Sequence, residues 1–282
     1  MRRSYSDEIR KHDRDQSRIK QKKSLGQVFL NTDWPVRRIV ENTLELGITR
    51  VIEIGPGNAI LTEALSQAGI KVTAIEKDDR FANRLSERIS RGELSGVEII
   101  NTDILQFDLG RWINASPNTS SAVLGNIPYN ISTPIFMWTL PHLSSLKAAI
   151  FMVQLEFAQR VAAAVDTKDY GSLSVYCQLR AICELNFKVE KTCFTPIPKV
   201  DSAVLTLRPR PDLSLPSKLL QYTETICRIA FTQRRKKLRN TVKPFLHGRL
   251  ENDCPIDLNR RAETLMPADF VKLAEFLFND KI

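Results

Sequence analysis

The sequence predicts an α/β fold with a mostly parallel, seven-stranded sheet followed by a small all-helical region. Three observations carry that prediction. Short β-rich runs alternate with longer helical stretches between residues 51 and 207, the pattern of successive βα units. Several runs end in a residue with chemical potential, and open α/β sheets bind ligands beyond the carboxyl ends of their strands. The run Arg208-Pro-Arg-Pro-Asp-Leu-Ser-Leu-Pro-Ser217 then interrupts the alternation, because proline continues neither a ladder nor a helix, and beyond it the periodicity is helical.

In chain order, residues 1–23 read as a mobile basic arm. It lacks the apolar core of a signal peptide, and Asp7, Glu8, Asp13 and Asp15 do not suit an acid-poor transit peptide. Residues 24–207 form the sheet domain, with strands expected at 51–54, 71–75, 97–100, 121–124, 148–153, 181–189 and 200–207. Residues 208–217 are the linker, and 218–282 the helical domain, with no strand expected there.

The 282 residues suffice for a sizeable core, and 43% hydrophobic content excludes a disordered chain. Lys and Arg number 41 against 32 Asp and Glu, and the resulting +9 asks for a polyanion, nucleic acid or an anionic membrane surface. No stretch approaches the roughly 20 apolar residues of a membrane span. Five cysteines, with no Cys-x-x-Cys pair and no histidine at ligand spacing, fit a reducing cytoplasm and imply no metal.

The first strand enters Glu53-Ile-Gly-Pro-Gly57. Gly55 and Gly57 allow a sharp turn and close approach of a ligand to the backbone. A third glycine and a phosphate-loop lysine are both missing, which disfavours a pyrophosphate or triphosphate. Glu76 ends the next strand, where a carboxylate can accept from both ribose hydroxyls; the alternative is a surface ion pair with Lys77. Asp103 ends the third strand, where it can accept from an adenine amine or cap a helix. Together Gly55, Glu76 and Asp103 describe an adenosine without phosphates, which S-adenosylmethionine satisfies.

The fourth strand runs into Asn126-Ile-Pro-Tyr-Asn-Ile-Ser132. An adenine amine is a poor nucleophile because its lone pair is delocalised into the ring. Acceptors on the Asn126 side chain and on the Ile127 or Pro128 carbonyl can hold its two N–H groups and favour a pyramidal nitrogen. Tyr129 offers a face for the unstacked base. The alkylated product is acidic enough to lose its proton to water, so no histidine is required, and His12, His142 and His247 lie outside every motif. The alternative for 126–130 is an ordinary turn.

These residues resemble the ribosomal RNA adenine N6,N6-dimethyltransferases that modify small-subunit RNA, a family built on a Rossmann-like class I methyltransferase domain. The resemblance runs from Lys22 to Phe278. It rests on Lys23-Ser-Leu-Gly-Gln-Val-Phe-Leu30, the Glu-Ile-Gly-Pro-Gly turn, Asn126-Ile-Pro-Tyr-Asn-Ile-Ser132, Asp169-Tyr-Gly-Ser-Leu-Ser-Val175, Phe194-Thr-Pro-Ile-Pro-Lys-Val-Asp-Ser202 and Phe231-Thr-Gln-Arg-Arg-Lys-Lys-Leu-Arg-Asn240. It implies that Gln27, Val28 and Leu30 close over the cofactor, that Gly55, Gly57, Glu76, Asp103 and Asn126 bind it, and that Phe194 is a second aromatic wall opposite Tyr129. Catalysis would then rest on Asn126, Pro128, Tyr129 and Phe194. Leu155 stands where many relatives carry lysine, Val28 where many carry a polar residue, and Ile127 replaces the usual leucine.

Between 228 and 243 the chain carries basic but no acidic residues. On one continuous helix, Cys227, Phe231, Leu238 and Val242 would line one side and Arg228, Arg235, Lys236, Arg239 and Lys243 an adjoining arc. With Arg234, these form the expected RNA-binding set; the alternative is a solvated charged face. The expected partner is small-subunit ribosomal RNA, within a pre-ribosomal particle, met by a monomer without membrane contact. The competing readings are a large-subunit enzyme of the macrolide-resistance type and a non-catalytic nucleic-acid-binding factor.

Overall fold

The computed structural model describes residues 28–213, 215–246 and 249–278. The arm and Gln27 lie outside the described residues. Strand β1 (Phe29–Leu30) leads into helix α1 (Trp34–Glu45), then β2 (Arg50–Ile54), α2 (Ile60–Gln67), β3 (Lys71–Glu76), α3 (Asp79–Ser90) and β4 (Val97–Asn101). There follow α4 (Leu109–Asn114), β5 (Ser121–Asn126), α5 (Ser132–Thr139), β6 (Ala148–Gln154), α6 (Leu155–Val161) and α7 (Ser172–Gln178). The sheet region closes with β7 (Ala181–Val189), β8 (Phe194–Thr195) and β9 (Ser202–Pro209). The helical region holds α8 (Ser217–Phe231), α9 (Leu238–Val242) and α10 (Pro267–Phe278).

The seven-stranded sheet has the order β4-β3-β2-β5-β6-β9-β7. Its pairs from β4 to β6 are parallel, while β9 runs antiparallel to both β6 and β7. Strands β2, β5 and β6 are buried almost throughout because helices cover both faces, so they read as mainly apolar runs, interrupted in β2 by Glu53, rather than as alternations. Alternate side chains feed two cores. Ile52, Ile54, Val123 and Phe151 pack with Trp112, Phe136 and Ala158 on one face. Val51, Val72, Leu124 and Met152 pack with Val36, Leu65 and Leu85 on the other.

All seven expected strands are present. Strand β9 begins at Ser202 and extends through Pro209, which pairs with Ala181, so the linker is shorter than 208–217. Arg210 is fixed by its donation to the Gln178 carbonyl at 2.8 Å. A two-stranded antiparallel ribbon of β1 and β8 is an addition that two-residue strands could not announce in sequence.

The helical region is not a free-standing appendix. Its core of Ile226, Leu238, Leu265 and Phe270 also contains Tyr170, Val175 and Leu179 from the sheet region. Tyr170 is fully buried, and its hydroxyl donates to the Leu265 carbonyl at 2.8 Å.

The expected continuous helix across 228–243 is broken. Helix α8 stops at Phe231, turns occupy 232–236, Lys237 bridges to Arg261, and α9 resumes at Leu238. Tertiary hydrogen bonds win over helical ones here: the Leu238 and Arg239 amides donate to the Arg260 and Leu258 carbonyls at 2.9 and 3.0 Å. Burial of Leu238 at 1% exposure holds this arrangement. Consecutive cations 234–237 therefore sit on a turn instead of one helical arc.

Candidate active site

The sheet reverses its winding between β2 and β5, since β3 and β4 lie on one side of β2 while β5 and β6 lie on the other. Such a switch point opens a crevice at the carboxyl ends of the strands. Ile54 is in register with Gly125, so Gly55 and Asn126 leave the sheet side by side. A Cβ on Gly125 would approach the Ile54 carbonyl oxygen to 2.8 Å, so this position admits only glycine without a backbone shift. Gly55 and Gly57 have φ of +64° and +52°, the left-handed region that favours glycine.

A cavity of about 140 Å³ lies at this point, lined among others by Val28, Leu30, Gly55, Glu76, Asp103 and Asn126. That is smaller than the roughly 300–1,000 Å³ of common ligand pockets. Phe29 forms part of the wall beside the glycine turn: its ring edge lies 2.7 Å from where a Gly57 Cβ would stand, and it packs on Phe81 with ring centroids 5.3 Å apart.

Glu76 is 6% exposed and is not the partner of Lys77. Its carboxylate accepts from the Asp78 amide at 2.8 Å and the Gly57 amide at 3.2 Å, which couples it to the glycine turn. Burial raises its pKa against these donors. Lys77 instead pairs with Asp103 at 2.7 Å. Asp103 also caps the short helix at Ile104–Gln106 by accepting from the Leu105 amide at 3.0 Å. The lysine is the main reason its pKa is lowered. The capping alternative for Asp103 is thus realised, alongside its place in the cavity wall.

Glu53 is a cavity residue to which sequence reasoning gave no role. It is 2% exposed, accepts from the Thr62 hydroxyl at 2.6 Å, and burial pushes its pKa up to about 7. The signal was available: a carboxylate inside an otherwise apolar strand is rare unless it has a partner. With Glu76 and Asp103 it makes the cleft acidic within a basic chain, an environment that favours a cationic ligand.

At the mouth, the Asn126 amide nitrogen donates to the Val28 carbonyl at 3.0 Å. This fixes the amide plane and leaves the Asn126 Oδ1 buried without a hydrogen-bond partner. A buried acceptor left this way costs about 1–3 kcal/mol, which a ligand N–H recovers. The Val28 backbone, expected to face the cofactor, thus serves Asn126. The Ile127 amide is tied to the Met152 carbonyl at 2.9 Å, and the Pro128 carbonyl already accepts from the Ile131 amide at 3.1 Å. Tyr129 is half-buried and its hydroxyl shares a 2.7 Å hydrogen bond with Ser202, which orients the ring; burial raises the phenol pKa. Sequence reasoning missed Ser202 as that anchor.

Phe194 departs from its expected placement. It is 0% exposed within the core that holds Val36 and Val204, so no ring face is open as a second wall. The reason is local: β8 pairs with β1, and the Asn31 side chain ties the same ribbon to Thr192 and Thr195, which turns Phe194 inward. Leu155, at the usual lysine position, packs on the core while its amide donates to the Asp201 carbonyl at 3.0 Å.

The expected RNA-binding residues split into two groups. Arg234 binds Glu263 at 2.7 Å and Arg239 binds Glu251 at 2.6 Å. Arg228, Arg235, Lys236 and Lys243 are exposed and have no ion-pair partner among the described residues. Among those residues no helix is long and apolar enough to cross a membrane.

Comparison with known proteins gives a consistent result. The family described as ribosomal RNA adenine dimethylase matches residues 18–279. The ribosomal RNA small subunit methyltransferase A of Francisella tularensis subsp. novicida (strain U112) is 38% identical over 265 residues, which is 93% of this chain and 99% of that protein. A crystal structure of the 23S rRNA methyltransferase ErmE aligns with a TM-score of 0.63 at 29% identity, covering 88% of this chain and 99% of that one. A dimethyladenosine transferase from Plasmodium falciparum shares the fold with a TM-score of 0.72 at 24% identity, over 90% of this chain and 98% of that one.

Proposed function

The chain belongs to the ribosomal RNA adenine dimethylase family, and from that premise we propose that it transfers methyl groups from S-adenosylmethionine to N6 of adenines in small-subunit ribosomal RNA. Each target base receives two methyls, on two adjacent adenines, and the enzyme works in the cytoplasm as a monomer on a pre-ribosomal small subunit. The observation that carries the reading is the unpartnered Asn126 Oδ1 at the mouth of an acidic cleft.

S-adenosylmethionine, when bound, supplies a methyl group on a positively charged sulfonium. The Gly55 and Gly57 turn lets its adenosine reach the backbone, Glu76 and Asp103 offer carboxylates, and the ionised forms of Glu53 and Glu76 are favoured beside its positive charges. Asn126 Oδ1 accepts one N6–H of the target adenine and the Ile127 carbonyl accepts the other. Held this way, the nitrogen directs its lone pair into the cleft. Tyr129, fixed by Ser202, stacks on the base. As the nitrogen gains its bond to the methyl carbon, the carbon–sulfur bond would break with its electron pair left on sulfur, neutral S-adenosylhomocysteine would be the leaving product, and the resulting ammonium would give its proton to water. Arg235, Lys236 and the other free cations of 228–243 contact RNA phosphates.

The relatives favour the small-subunit target, because a protein named for it matches 93% of the chain at 38% identity, against 29% for the 23S enzyme. Titration calorimetry with S-adenosylmethionine tests the enzyme class. The expected result is binding by the wild type and by Asn126→Ala, with Glu76→Ala losing the larger share of affinity. Absence of wild-type binding would favour a non-catalytic nucleic-acid-binding factor.

A further inference from the structure

Apart from the cofactor cleft, a groove of about 560 Å³ lies where α5, α6 and α7 meet α8. Its volume falls within the range of small-ligand pockets. The floor carries Phe157 and Tyr176, both half-buried, and Met137, which is 38% exposed. Arg160 and Arg228 stand at its edge, both exposed and without a carboxylate partner among the described residues. The floor is rigid. Phe157 packs edge-on against Phe136 with ring centroids 5.0 Å apart, and Arg180 lies over the Tyr176 ring at 4.3 Å while pairing with Glu224.

We propose that this groove is a second RNA subsite, which takes one unpaired nucleotide outside the target adenine. Two unpaired guanidiniums flank an aromatic and thioether floor, which matches a flat base with a phosphate on each side. The carboxylate of the groove, Glu224, is already neutralised by Arg180 and does not oppose an anion. Position supports the same occupant. Helix α5, which contributes Met137, begins at Ser132, directly after the 126–131 segment that presents Asn126 and Tyr129. Eight residues of helix span about 12 Å, so a strand leaving the cleft reaches the groove within a few nucleotides. On the far side, Arg228 continues into the basic turn at 234–237. The groove thus joins the cleft to the basic strip and fixes the register of the strand between them.

This inference rests on the proposed RNA substrate, and the test keeps the two separable. Met137→Trp, which fills the groove, and Arg160→Glu are compared with the full-length wild type for affinity toward naked small-subunit ribosomal RNA and toward partly assembled small subunits. Melting temperature and S-adenosylmethionine affinity serve as fold controls. Each variant is expected to weaken binding to naked RNA about tenfold. Arg160→Glu should also flatten the salt dependence by about 0.7 in log K per log unit of salt, one phosphate contact, and Arg160→Lys should restore most of it. Unchanged affinity in both variants overturns the subsite, as does a loss confined to assembled particles, which would mean that a protein segment fills the groove. Should Met137→Trp fail to fold, the exposed Arg160 substitutions decide alone. A wild type that binds RNA but methylates no adenine sinks the proposed reaction and leaves the affinity comparison standing.

Discussion

The cleft at the ends of β2 and β5 and the basic strip from Arg228 to Lys243 are opposites in charge and in how firmly their charged groups are held. In the cleft, Glu53 and Glu76 are nearly inaccessible and are tied to Thr62, Gly57 and Asp78. In the strip, Arg235 and Lys236 stand in solvent on a turn. The contrast separates two tasks. A reaction that depends on angles needs groups fixed by buried hydrogen bonds, whereas grip on a phosphate backbone needs charge that can follow its partner. Substitutions in the cleft should therefore change chemistry steeply and with little response to salt, and those in the strip should do the reverse.

The most severe test is Asn126→Ala. Loss of the acceptor frees the adenine amine, and single-turnover transfer is expected to fall by about 10²-fold or more, since misplacing a reacting group costs on that order. A fall of less than tenfold would mean that the clamp does not orient the nucleophile. Phe194→Ala separates core from wall. As a core residue it should lower stability by about 3–5 kcal/mol in chemical denaturation; normal stability with lost transfer would restore the aromatic wall.

The third test uses pH. The Glu53 carboxyl titrates near 7 in the folded cleft, above its ordinary 4.5. Between those values the folded chain holds a proton that the unfolded chain has released. The ligand-free protein should accordingly lose stability as pH rises from about 4.5 to 7, by at most about 1.4 kcal/mol per unit, and level off above. Glu53→Gln should remove that slope; a slope that persists would assign it to another group. The smallest effect is expected in the strip: Arg235→Glu with Lys236→Glu should weaken RNA binding at low salt and flatten the salt dependence by about 1.4, two contacts at 0.7 each. An unchanged slope would show that the strip is only a solvated face.

The sheet was legible in sequence because strands covered on both faces must be largely apolar, as 122–124 and 148–153 are. The positions of Gly55, Glu76, Asp103 and Asn126 followed from strand ends. Features that depend on distant partners were not legible. The Asn126 clamp spans to Val28, 98 residues away in the chain. The break at 232–237 depends on carbonyls at 258 and 260, which no periodicity of the basic run reveals. Phe194 carried a motif pattern compatible with both a wall and a core residue, and only its pairing with β1 turned it inward. Glu53 is marked in sequence as a carboxylate inside an apolar strand, but its partner Thr62 and its place in the cavity wall come only from the packing of the fold.

The central claim is that the clamp at Asn126 selects adenine in small-subunit RNA. The most direct measurement incubates the protein with methyl-labelled S-adenosylmethionine and equal amounts of unmethylated small subunits, their naked RNA and large-subunit RNA, then maps the modified bases. The account expects label on N6 of small-subunit adenines, two methyls per base, accumulating about 10²-fold or more slowly in Asn126→Ala. Label only in large-subunit RNA, or on a base other than adenine, would contradict it.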